Sequence, residues 1–267
     1  MSDNSSNKPV AVVTGASAGI GAVYAQRLAA RGFDLILVAR RADRLAALSK
    51  EVQEKHGTKV EVMAADLTNP DDLARVEKLL AADKRVAMLV NNAGSAKLAP
   101  MSATSINDAA SMIALNVTAL TRLTQAVLPN FLAKDSGSIV NVASVLSLHS
   151  LPISSVYSGT KGYVLNFSRG LQAELAGTAV KVQLVLPATT STELWDIAGI
   201  PLSELNQSSI MTAENMVDAS LAGYDQGESV TLPSVDDSLL WDAYDAARGN
   251  LFAATQTGQP ASRYGVN

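Results

Sequence analysis

Short apolar runs rich in β-branched residues recur along the chain, and most are followed by a stretch with helical periodicity. Six runs predict strands: Pro9–Thr14, Asp34–Ala39, Lys59–Ala64, Val86–Val90, Ser138–Ala143 and Val180–Leu186. Helices are predicted between and after them, among others at Ala42–Lys55, Ile106–Phe131, Ser155–Ala176 and Leu239–Arg248. Alternating strands and helices are typical of a parallel sheet that is covered on both faces. The predicted fold class is therefore α/β, a doubly wound Rossmann-type parallel sheet.

No repeat, low-complexity block or linker interrupts this pattern, which predicts one domain over residues 9–250. Residues 1–8 are polar and are predicted to be a flexible N-terminus, and residues 251–267 a C-terminal tail. Between Thr192 and Met211 many side chains are apolar. Residues 188–212 are therefore predicted to form a lid over a substrate, with ordinary packing of a short helix as the alternative.

The amino-acid composition argues against several functional classes. The 267 residues carry a net charge of −4 with no basic cluster, so nucleic-acid binding has little support. There is no cysteine, and the two histidines are far apart, so no metal site is predicted. No apolar run approaches the ~20 residues of a membrane span, and residues 1–8 lack the apolar core of a signal peptide. We expect a cytoplasmic protein with neither membrane nor nucleic-acid partners.

A glycine-rich turn follows the first predicted strand and opens a helix, with the sequence Thr14-Gly-Ala-Ser-Ala-Gly-Ile-Gly21. Gly15 allows a tight turn, Gly19 lets the backbone approach a pyrophosphate, and Gly21 lets helix and strand pack closely. An anion there would meet free N–H groups and the positive end of the helix dipole. The G-x-x-x-G-x-G spacing differs from the common dinucleotide fingerprint, and a glycine-rich turn without a ligand is the alternative.

The ends of the next strands carry further candidates. Ala39 stands where an acidic residue would hold the two ribose hydroxyls of NAD, and Arg40 beside it can bind a 2′-phosphate, so NADP(H) is the predicted cofactor. Arg41 and Arg44 are interpreted as a basic surface corner. Asp66 could accept a hydrogen bond from an adenine amino group or cap the next turn.

A tyrosine and a lysine one helical turn apart are the candidates for proton transfer. Tyr157 and Lys161 share a helix face, and a nearby ammonium group favours the phenolate and lowers the pKa of a phenol. That would suit an acid/base catalyst at a carbonyl. Ser144 follows a predicted buried strand, at the edge where parallel sheets bind ligands. Asn116 lies inside a predicted helix, where an amide has no obvious structural reason to be.

Together these residues resemble the short-chain dehydrogenase/reductase family, in its compact single-domain, NADP-preferring form. The likeness covers about Val10 to Leu186 and includes the family's T-G-x-x-x-G-x-G motif and the N-N-A-G motif at Asn91–Gly94. It implies a catalytic group of Asn116, Ser144, Tyr157 and Lys161. The cofactor-binding residues predicted on this basis are Gly15, Ser17, Gly19, Ile20, Gly21, Arg40, Asp66, Leu67, Asn92, Ala93, Gly94, Tyr157, Lys161, Pro187, Thr189 and Thr192.

The resemblance also implies the role of each residue. Tyr157 would be the general acid in reduction, Ser144 would stabilise the developing alkoxide, and Lys161 would lower the pKa of the tyrosine and bind the nicotinamide ribose. Asn116 would hold a water that links Lys161 to solvent. One departure is Ala188, which replaces a glycine usual in the family and leaves the local backbone path open.

The predicted function is NADPH-dependent reduction of a small, mainly apolar ketone or aldehyde to the alcohol, reversibly. Two alternatives stay open: a 3-oxoacyl-carrier-protein reductase and a non-catalytic NADP-binding regulator. The chain lacks the Asp-Gly-Gly ending common in 3-oxoacyl-carrier-protein reductases, which weakens the first. The resemblance further implies a homodimer or homotetramer joined through the two long helices Ile106–Phe131 and Ser155–Ala176.

Overall fold

The computed structural model describes residues 8–266, so the predicted flexible N-terminus lies outside the described residues except for Lys8. Tertiary contacts divide the chain into two compact units, the first ending at Pro233 and the second beginning at Ser234. The hydrophobic pattern places the end of the main domain at residue 250 instead. That boundary, the tail after it and the lid stay predictions.

A parallel sheet forms the centre of the first unit. Within its described residues the strands number seven, in the order β3-β2-β1-β4-β5-β6-β7. Their bounds are β1 Val10–Thr14, β2 Asp34–Ala39, β3 Val60–Ala64, β4 Val86–Asn91, β5 Gly137–Val142, β6 Val180–Val185 and β7 Val230–Thr231. The chain reverses its winding between β1 and β4, which pair directly. The predicted doubly wound fold is therefore confirmed, and the crevice between the ends of β1 and β4 is where such sheets bind ligands.

Helices cover both faces of this sheet. The bounds in the first unit are α1 Gly19–Ala30, α2 Ala42–His56, α3 Pro70–Ala82, α4 Ile106–Ile113, α5 Leu120–Lys134, α6 Ser155–Glu174, α7 Leu194–Ala198 and α8 Ala213–Gln226. One apolar core lies between the sheet and α1, α2 and α8. The other lies between the sheet and α3, α5 and α6.

The central strand shows why the strand segments are mostly apolar. Ala11 and Val13 of β1 point into the first core, whereas Val10 and Val12 point into the second. All four side chains are buried. Successive strand residues face opposite sides, so a strand covered on both faces has no position left for a polar side chain.

The predicted helix Ile106–Phe131 has an irregular middle. Between α4 and α5 the chain forms one π-helical turn, Ala114–Ala119, and α5 continues to Lys134. Asn116 lies in this widened turn and is buried. Such single π turns occur often at functional sites. The amide that was unexplained in a regular helix therefore coincides with a break in helical regularity.

The second unit contains a helix with exposed apolar side chains. This helix, α9 (Leu239–Ala254), has no buried residue, and Leu239, Leu240, Leu251 and Phe252 are each more than 60% exposed. Exposed apolar surface of this kind marks sites of association. It supports the predicted homo-oligomer, which stays a prediction. Among the helices of residues 8–266, none combines the length and the apolar character needed to cross a bilayer.

Candidate active site

A cleft of about 400 Å³ opens at the carboxyl ends of the strands. It brings together most of the residues predicted from the sequence. Those that line it are Gly15, Ser17, Gly19, Ile20, Arg40, Asp66, Leu67, Asn92, Ala93, Gly94, Ser144, Tyr157, Lys161, Pro187, Thr189 and Thr192. Gly21 and Asn116 are the exceptions, and both contact residues of the lining.

The glycine-rich turn after β1 has no room for a side chain at Gly15 or Gly21. Gly15 and Gly19 adopt left-handed backbone angles, with φ of +67° and +53°. A Cβ on Gly15 would lie 2.8 Å from Nδ2 of Asn92, and a Cβ on Gly21 would collide with the carbonyl oxygen of Gly15. The turn therefore requires glycine for conformation at Gly15 and Gly19 and for space at Gly15 and Gly21.

This turn presents the bare start of α1 to the cleft. Ala18 precedes the helix without a side-chain cap, and the first turn of α1 contains no acidic residue. The first N–H groups of a helix lack partners inside the helix and carry a partial positive charge. The residues of the turn thus fit the pyrophosphate of a dinucleotide, which would approach the backbone closely at the glycine positions.

Thr14 and Asn92 tie the exit of β1 to the exit of β4. The hydroxyl of Thr14 accepts hydrogen bonds from the backbone N–H groups of Asn92 and Ala93, both at 3.0 Å, and donates to the carbonyl of Val90 at 3.1 Å. The side-chain amide of Asn92 donates to the carbonyl of Thr14 at 2.9 Å. Asn92 therefore shapes the glycine turn in addition to lining the cleft.

Ser144, Tyr157 and Lys161 form a buried polar group at the centre of the cleft. Ser144 follows β5, and Tyr157 and Lys161 lie one turn apart in α6; all three are at most 8% exposed. Ser144 is close enough to the phenol of Tyr157 to lower its pKa. The Nζ atom of Lys161 donates to the carbonyl of Val142 at 2.9 Å and lies 5.8 Å from the centre of the Tyr157 ring.

Burial decides the proton affinities of this group. It raises the pKa of Tyr157 to about 12, although the side chain of Ser144 lowers it in part. Burial also lowers the pKa of Lys161 to about 8. We expected the ammonium group of Lys161 to lower the pKa of the phenol, but the pKa is raised, and desolvation is the largest cause. Tyr157 is therefore a protonated phenol at neutral pH, ready to donate its proton.

Asn116 holds the loop after β4 against α6. Its Nδ2 donates to the carbonyl of Ser95 at 2.9 Å and to the hydroxyl of Thr160 at 3.0 Å. Its Oδ1 accepts from the N–H of Ser95 at 2.9 Å. The amide side chain of Asn116 thus positions the loop whose start, Gly94, lies beside Lys161. The water-holding role stays a prediction.

More residues at the exit of β2 line the cleft than the sequence indicated. Arg40 lines the cleft as predicted. Arg41, interpreted above as a surface corner, also lines it and donates to the hydroxyl of Ser17 from Nε at 3.1 Å and from Nη2 at 3.0 Å. Arg41 and Arg44 both form ion pairs with Glu193. The interpretation of Arg41 was wrong, because a side chain at the strand exit turns back towards the glycine loop.

Asp66 performs the second of its two predicted roles. Its Oδ1 accepts from the N–H of Thr68 at 2.9 Å and from the Thr68 hydroxyl at 2.8 Å, which caps the turn before α3. Asp66 also lines the cleft beside Leu67, so an adenine contact stays a prediction. Among residues 8–266, no group of three histidine, cysteine or carboxylate side chains is placed to hold a metal ion.

The chain after β6 forms the outer wall. It leaves the body at Ser191, whose N–H donates to the carbonyl of Met211 at 2.8 Å where the chain returns. Leu194, Trp195, Ile197 and Ala198 line the cleft. Apolar residues farther along, such as Leu202 and Leu205, are not part of the lining. Ala188 does not need the left-handed conformation, because Asp135 is the one non-glycine residue with positive φ between residues 8 and 266.

Leu98, Leu146 and Leu151 complete the wall and were missed from the sequence. Leu98, Leu146 and Leu194 pack against the apolar cluster that contains Tyr157 and Ala198. The N–H of Leu98 donates to the carbonyl of Ala198 at 3.2 Å, which joins the loop after β4 to α7. Leu146 and Leu151 could have been predicted from the sequence, because they lie in the loop that follows Ser144.

Comparison with known proteins identifies the family. A family model described as short chain dehydrogenase matches residues 9–199. The chain therefore belongs to the short-chain dehydrogenases. It is 37% identical to the very-long-chain 3-oxoacyl-CoA reductase-B of Danio rerio over 188 residues, and this match spans 69% of the chain and 60% of the length of that relative. It is 40% identical to the sulfoacetaldehyde reductase of Chromohalobacter salexigens over 185 residues, covering 68% of the chain and 72% of that protein.

Two solved structures are similar over almost the whole chain. A short-chain dehydrogenase from Sphingobium yanoikuyae, in complex with NADPH, shares 44% identity at a TM-score of 0.92 and covers 96% of this chain and 100% of its own. The bulky-bulky ketone specific alcohol dehydrogenase of Comamonas testosteroni shares 37% identity at a TM-score of 0.89. That match covers 97% of this chain and 99% of the other.

Tyr157→Phe removes the phenolic proton and keeps the ring. We expect kcat for carbonyl reduction to fall by about 10²–10⁴-fold, the usual contribution of a positioned acid. The Kd of the nicotinamide cofactor, measured by fluorescence titration, should change little. Ser144→Ala should lower mainly kcat, because its hydrogen bond to the carbonyl oxygen strengthens as negative charge develops. Near wild-type turnover of the Phe variant would contradict the role of Tyr157.

The pH dependence of reduction should follow Lys161. Tyr157, with its pKa raised to about 12, keeps its proton across the neutral range, so the acid is not limiting there. Lys161, with its pKa lowered to about 8, loses its charge as the pH rises through that value, and the phenolate formed at Tyr157 then lacks a neighbouring cation. We expect kcat/KM for the reduced cofactor, which reports on the free enzyme, to be level between about pH 6 and 7 and to fall above about pH 8. A value that increases from pH 7 to 9 would contradict this assignment.

Proposed function

We propose that this protein is an NADP(H)-dependent oxidoreductase that reduces a mainly apolar ketone or aldehyde to the corresponding alcohol, reversibly. The observation that carries the proposal is the cleft itself. The buried group of Ser144, Tyr157 and Lys161 and the glycine turn open into one continuous space of about 400 Å³. A carbonyl compound and a dinucleotide could therefore meet there.

In reduction the bound nicotinamide would supply the hydride, and the residues of this chain would handle the proton. The phenol of Tyr157 is protonated at neutral pH and would donate to the carbonyl oxygen as negative charge develops on it. Ser144 would donate a second hydrogen bond to the same oxygen. The ammonium of Lys161 lies near enough to stabilise the resulting phenolate and to bind ribose hydroxyls.

The walls around Tyr157 support an apolar substrate. Tyr157 and Ala198 belong to one apolar cluster, and Leu98, Leu146 and Leu194 pack against that cluster. The charged residues of the cleft other than Lys161 stand elsewhere, at the strand exits and at the start of α7. A substrate bearing a sulfonate or carboxylate would meet no positive partner among these walls. The likeness to an alcohol dehydrogenase described as specific for bulky-bulky ketones supports the same substrate class.

A substrate panel tests the proposal. NADPH oxidation should be measured with aliphatic and aryl ketones, aldehydes, sulfoacetaldehyde and a sugar, using wild type and Tyr157→Phe. We expect apolar ketones or aldehydes to be reduced with the highest kcat/KM, and the Phe variant to be inactive with each. Absence of turnover with every carbonyl, together with tight NADPH binding, would favour the non-catalytic regulator instead.

A 3-oxoacyl thioester is the second candidate substrate, because the chain is 37% identical over 188 residues to a very-long-chain 3-oxoacyl-CoA reductase. Acetoacetyl-CoA and a long-chain 3-oxoacyl-CoA belong in the same panel, as does a carrier-protein thioester. A kcat/KM for a thioester far above that for simple ketones would make the acyl chain the natural substrate.

The NADP(H) preference is tested by a double substitution at the exit of β2. Ala39 offers no carboxylate, and Arg40 lines the cleft with no hydrogen bond or ion pair to another residue of the described chain. A charge-assisted hydrogen bond to phosphate contributes ~1.5–3 kcal/mol, or roughly tenfold to hundredfold in preference. Ala39→Asp with Arg40→Ala should reverse the kcat/KM ratio of NADPH to NADH. Arg40→Ala alone should reduce the ratio, and wild-type preference for NADH would refute the assignment.

Assembly and location belong to the same proposal. A homodimer or homotetramer is supported by exposed apolar side chains at Ile106 and Ile113 of α4, at Tyr163 of α6 and along α9. The cytoplasm is the compartment expected from the sequence.

A further inference from the structure

One carboxylate joins the outer wall of the cleft to the exit of β2. Glu193 immediately precedes α7, and its Oε2 accepts from Nη1 of Arg41 at 2.7 Å. Its Oε1 accepts from Nη1 of Arg44 at 2.5 Å. Arg41 also donates two hydrogen bonds to the hydroxyl of Ser17 in the glycine turn. Two guanidinium groups therefore converge on a single anion next to the turn.

This arrangement has the chemistry of a phosphate site. Guanidinium groups bind phosphate oxygens in the same forked geometry that they use for carboxylates. Ser17, Arg40, Arg41 and Glu193 all line the cleft beside Ala39, where the adenosine ribose of a dinucleotide would lie. The carboxylate of Glu193 thus occupies the donors that a 2′-phosphate would need.

Glu193 also stands at the start of the outer wall. Thr192, the residue before it, packs against the glycine turn, with its Cγ2 3.0 Å from the position of a Cβ on Gly19. Trp195, two residues after Glu193, lines the cleft and donates from its indole N–H to the carbonyl of Thr190 at 2.9 Å. A movement of Glu193 would therefore displace residues that contact the glycine turn and residues of α7.

We propose that Glu193 is an internal competitor of the cofactor 2′-phosphate. It binds Arg41 and Arg44 when no phosphate is present, and a 2′-phosphate displaces it, which makes both arginines phosphate ligands and releases the start of α7. This inference rests on the proposed use of NADP(H). It adds two arginines and one carboxylate to the residues that determine cofactor specificity, and it links that specificity to the wall of the substrate space.

The exposure of these side chains permits such an exchange. The side chains of Arg41, Arg44 and Glu193 are 41%, 45% and 47% exposed. Ion pairs at exposed positions contribute little to stability, so separating them costs little. A phosphate dianion carries more charge than the carboxylate and offers three oxygens to the same donors. The competition therefore favours phosphate, but the carboxylate should still weaken phosphate binding by a measurable amount.

The experiment uses adenosine 2′,5′-bisphosphate and 5′-AMP, which differ in the 2′-phosphate and carry no nicotinamide. Their Kd values are measured by calorimetry with wild type and Glu193→Gln. Loss of the competing charge should tighten the bisphosphate by roughly fivefold, the effect of one unit charge about 4 Å away in water, with 5′-AMP unchanged. Glu204→Gln is the matched control, because Glu204 lies in the same segment between β6 and α8, outside the cleft lining, and has no ion pair within residues 8–266. It should change neither Kd.

The release of α7 can be followed by tryptophan fluorescence. The chain has two tryptophans, so Trp241→Phe leaves Trp195 as the sole indole, two residues from Glu193. The bisphosphate should change its emission in this background, and 5′-AMP should not. Adding Glu193→Gln should give the changed emission without ligand and remove most of the response.

The outcomes separate the two proposals. A bisphosphate Kd that is unchanged or weakened in Glu193→Gln would overturn the competition, since weakening would mean that Glu193 orients the arginines for phosphate. If the wild-type protein binds the bisphosphate no more tightly than 5′-AMP, the proposed NADP(H) preference is overturned. The comparison of Glu193→Gln with wild type would still decide the role of Glu193 in that case. Arg41→Ala and Arg44→Ala should each weaken the bisphosphate and leave 5′-AMP unchanged.

Discussion

The joint between the exits of β1 and β4 is the constraint on which the site depends. At this point the sheet reverses its winding, and two neighbouring strands send their chains to opposite faces. The Thr14 hydroxyl and the Asn92 amide hold the two exits together, and this leaves no space for a Cβ on Gly15 or Gly21. The turn therefore requires glycine at Gly15 and Gly21 because of the joint. A bare, positively polarised helix start at the reversal point is what a dinucleotide pyrophosphate requires.

A second constraint fixes the proton chemistry. Lys161 is held by the carbonyl of Val142 at the end of β5, and Tyr157 is held one turn earlier on α6, so both side chains are carried by the buried interior of the fold. Desolvation disfavours the charged form of both side chains. It raises the pKa of the Tyr157 phenol and lowers the pKa of the Lys161 ammonium group. In the proposed reduction, this group would give a proton to a carbonyl oxygen near neutral pH. Removing a proton from an alcohol would demand a higher pH or another charge close to the phenol.

The sequence predicts the framework well because the framework is governed by local pattern. Each of the six predicted strands is found within one residue of its predicted bounds. Most of them are buried on both faces, and a strand buried on both faces is largely apolar. β7 has two residues, too few for a period, and was not predicted. The π turn at Asn116 was not predicted either, because periodicity cannot distinguish one widened turn from a regular helix.

Side-chain partners that come from distant parts of the chain were the least predictable feature. Arg41 and Glu193 are 152 residues apart, and neither residue type nor spacing relates them. Leu98 and Ala198 are brought together by a backbone hydrogen bond, again without a sequence signal. Such contacts decide which loop side chains form the cleft, and they depend on the complete fold.

The wall formed by α7 carries two kinds of selectivity at once. At its start, Glu193 contacts the arginines at the exit of β2, and at its end Ala198 is bonded to Leu98, which packs near Tyr157. α7 is only five residues long, so its two ends are about 7.5 Å apart at the usual rise of a helix. A shift at one end of so short an element cannot be absorbed along its length. If Glu193 affects cofactor choice as proposed, its substitution should therefore also alter the fit of the proposed carbonyl substrate.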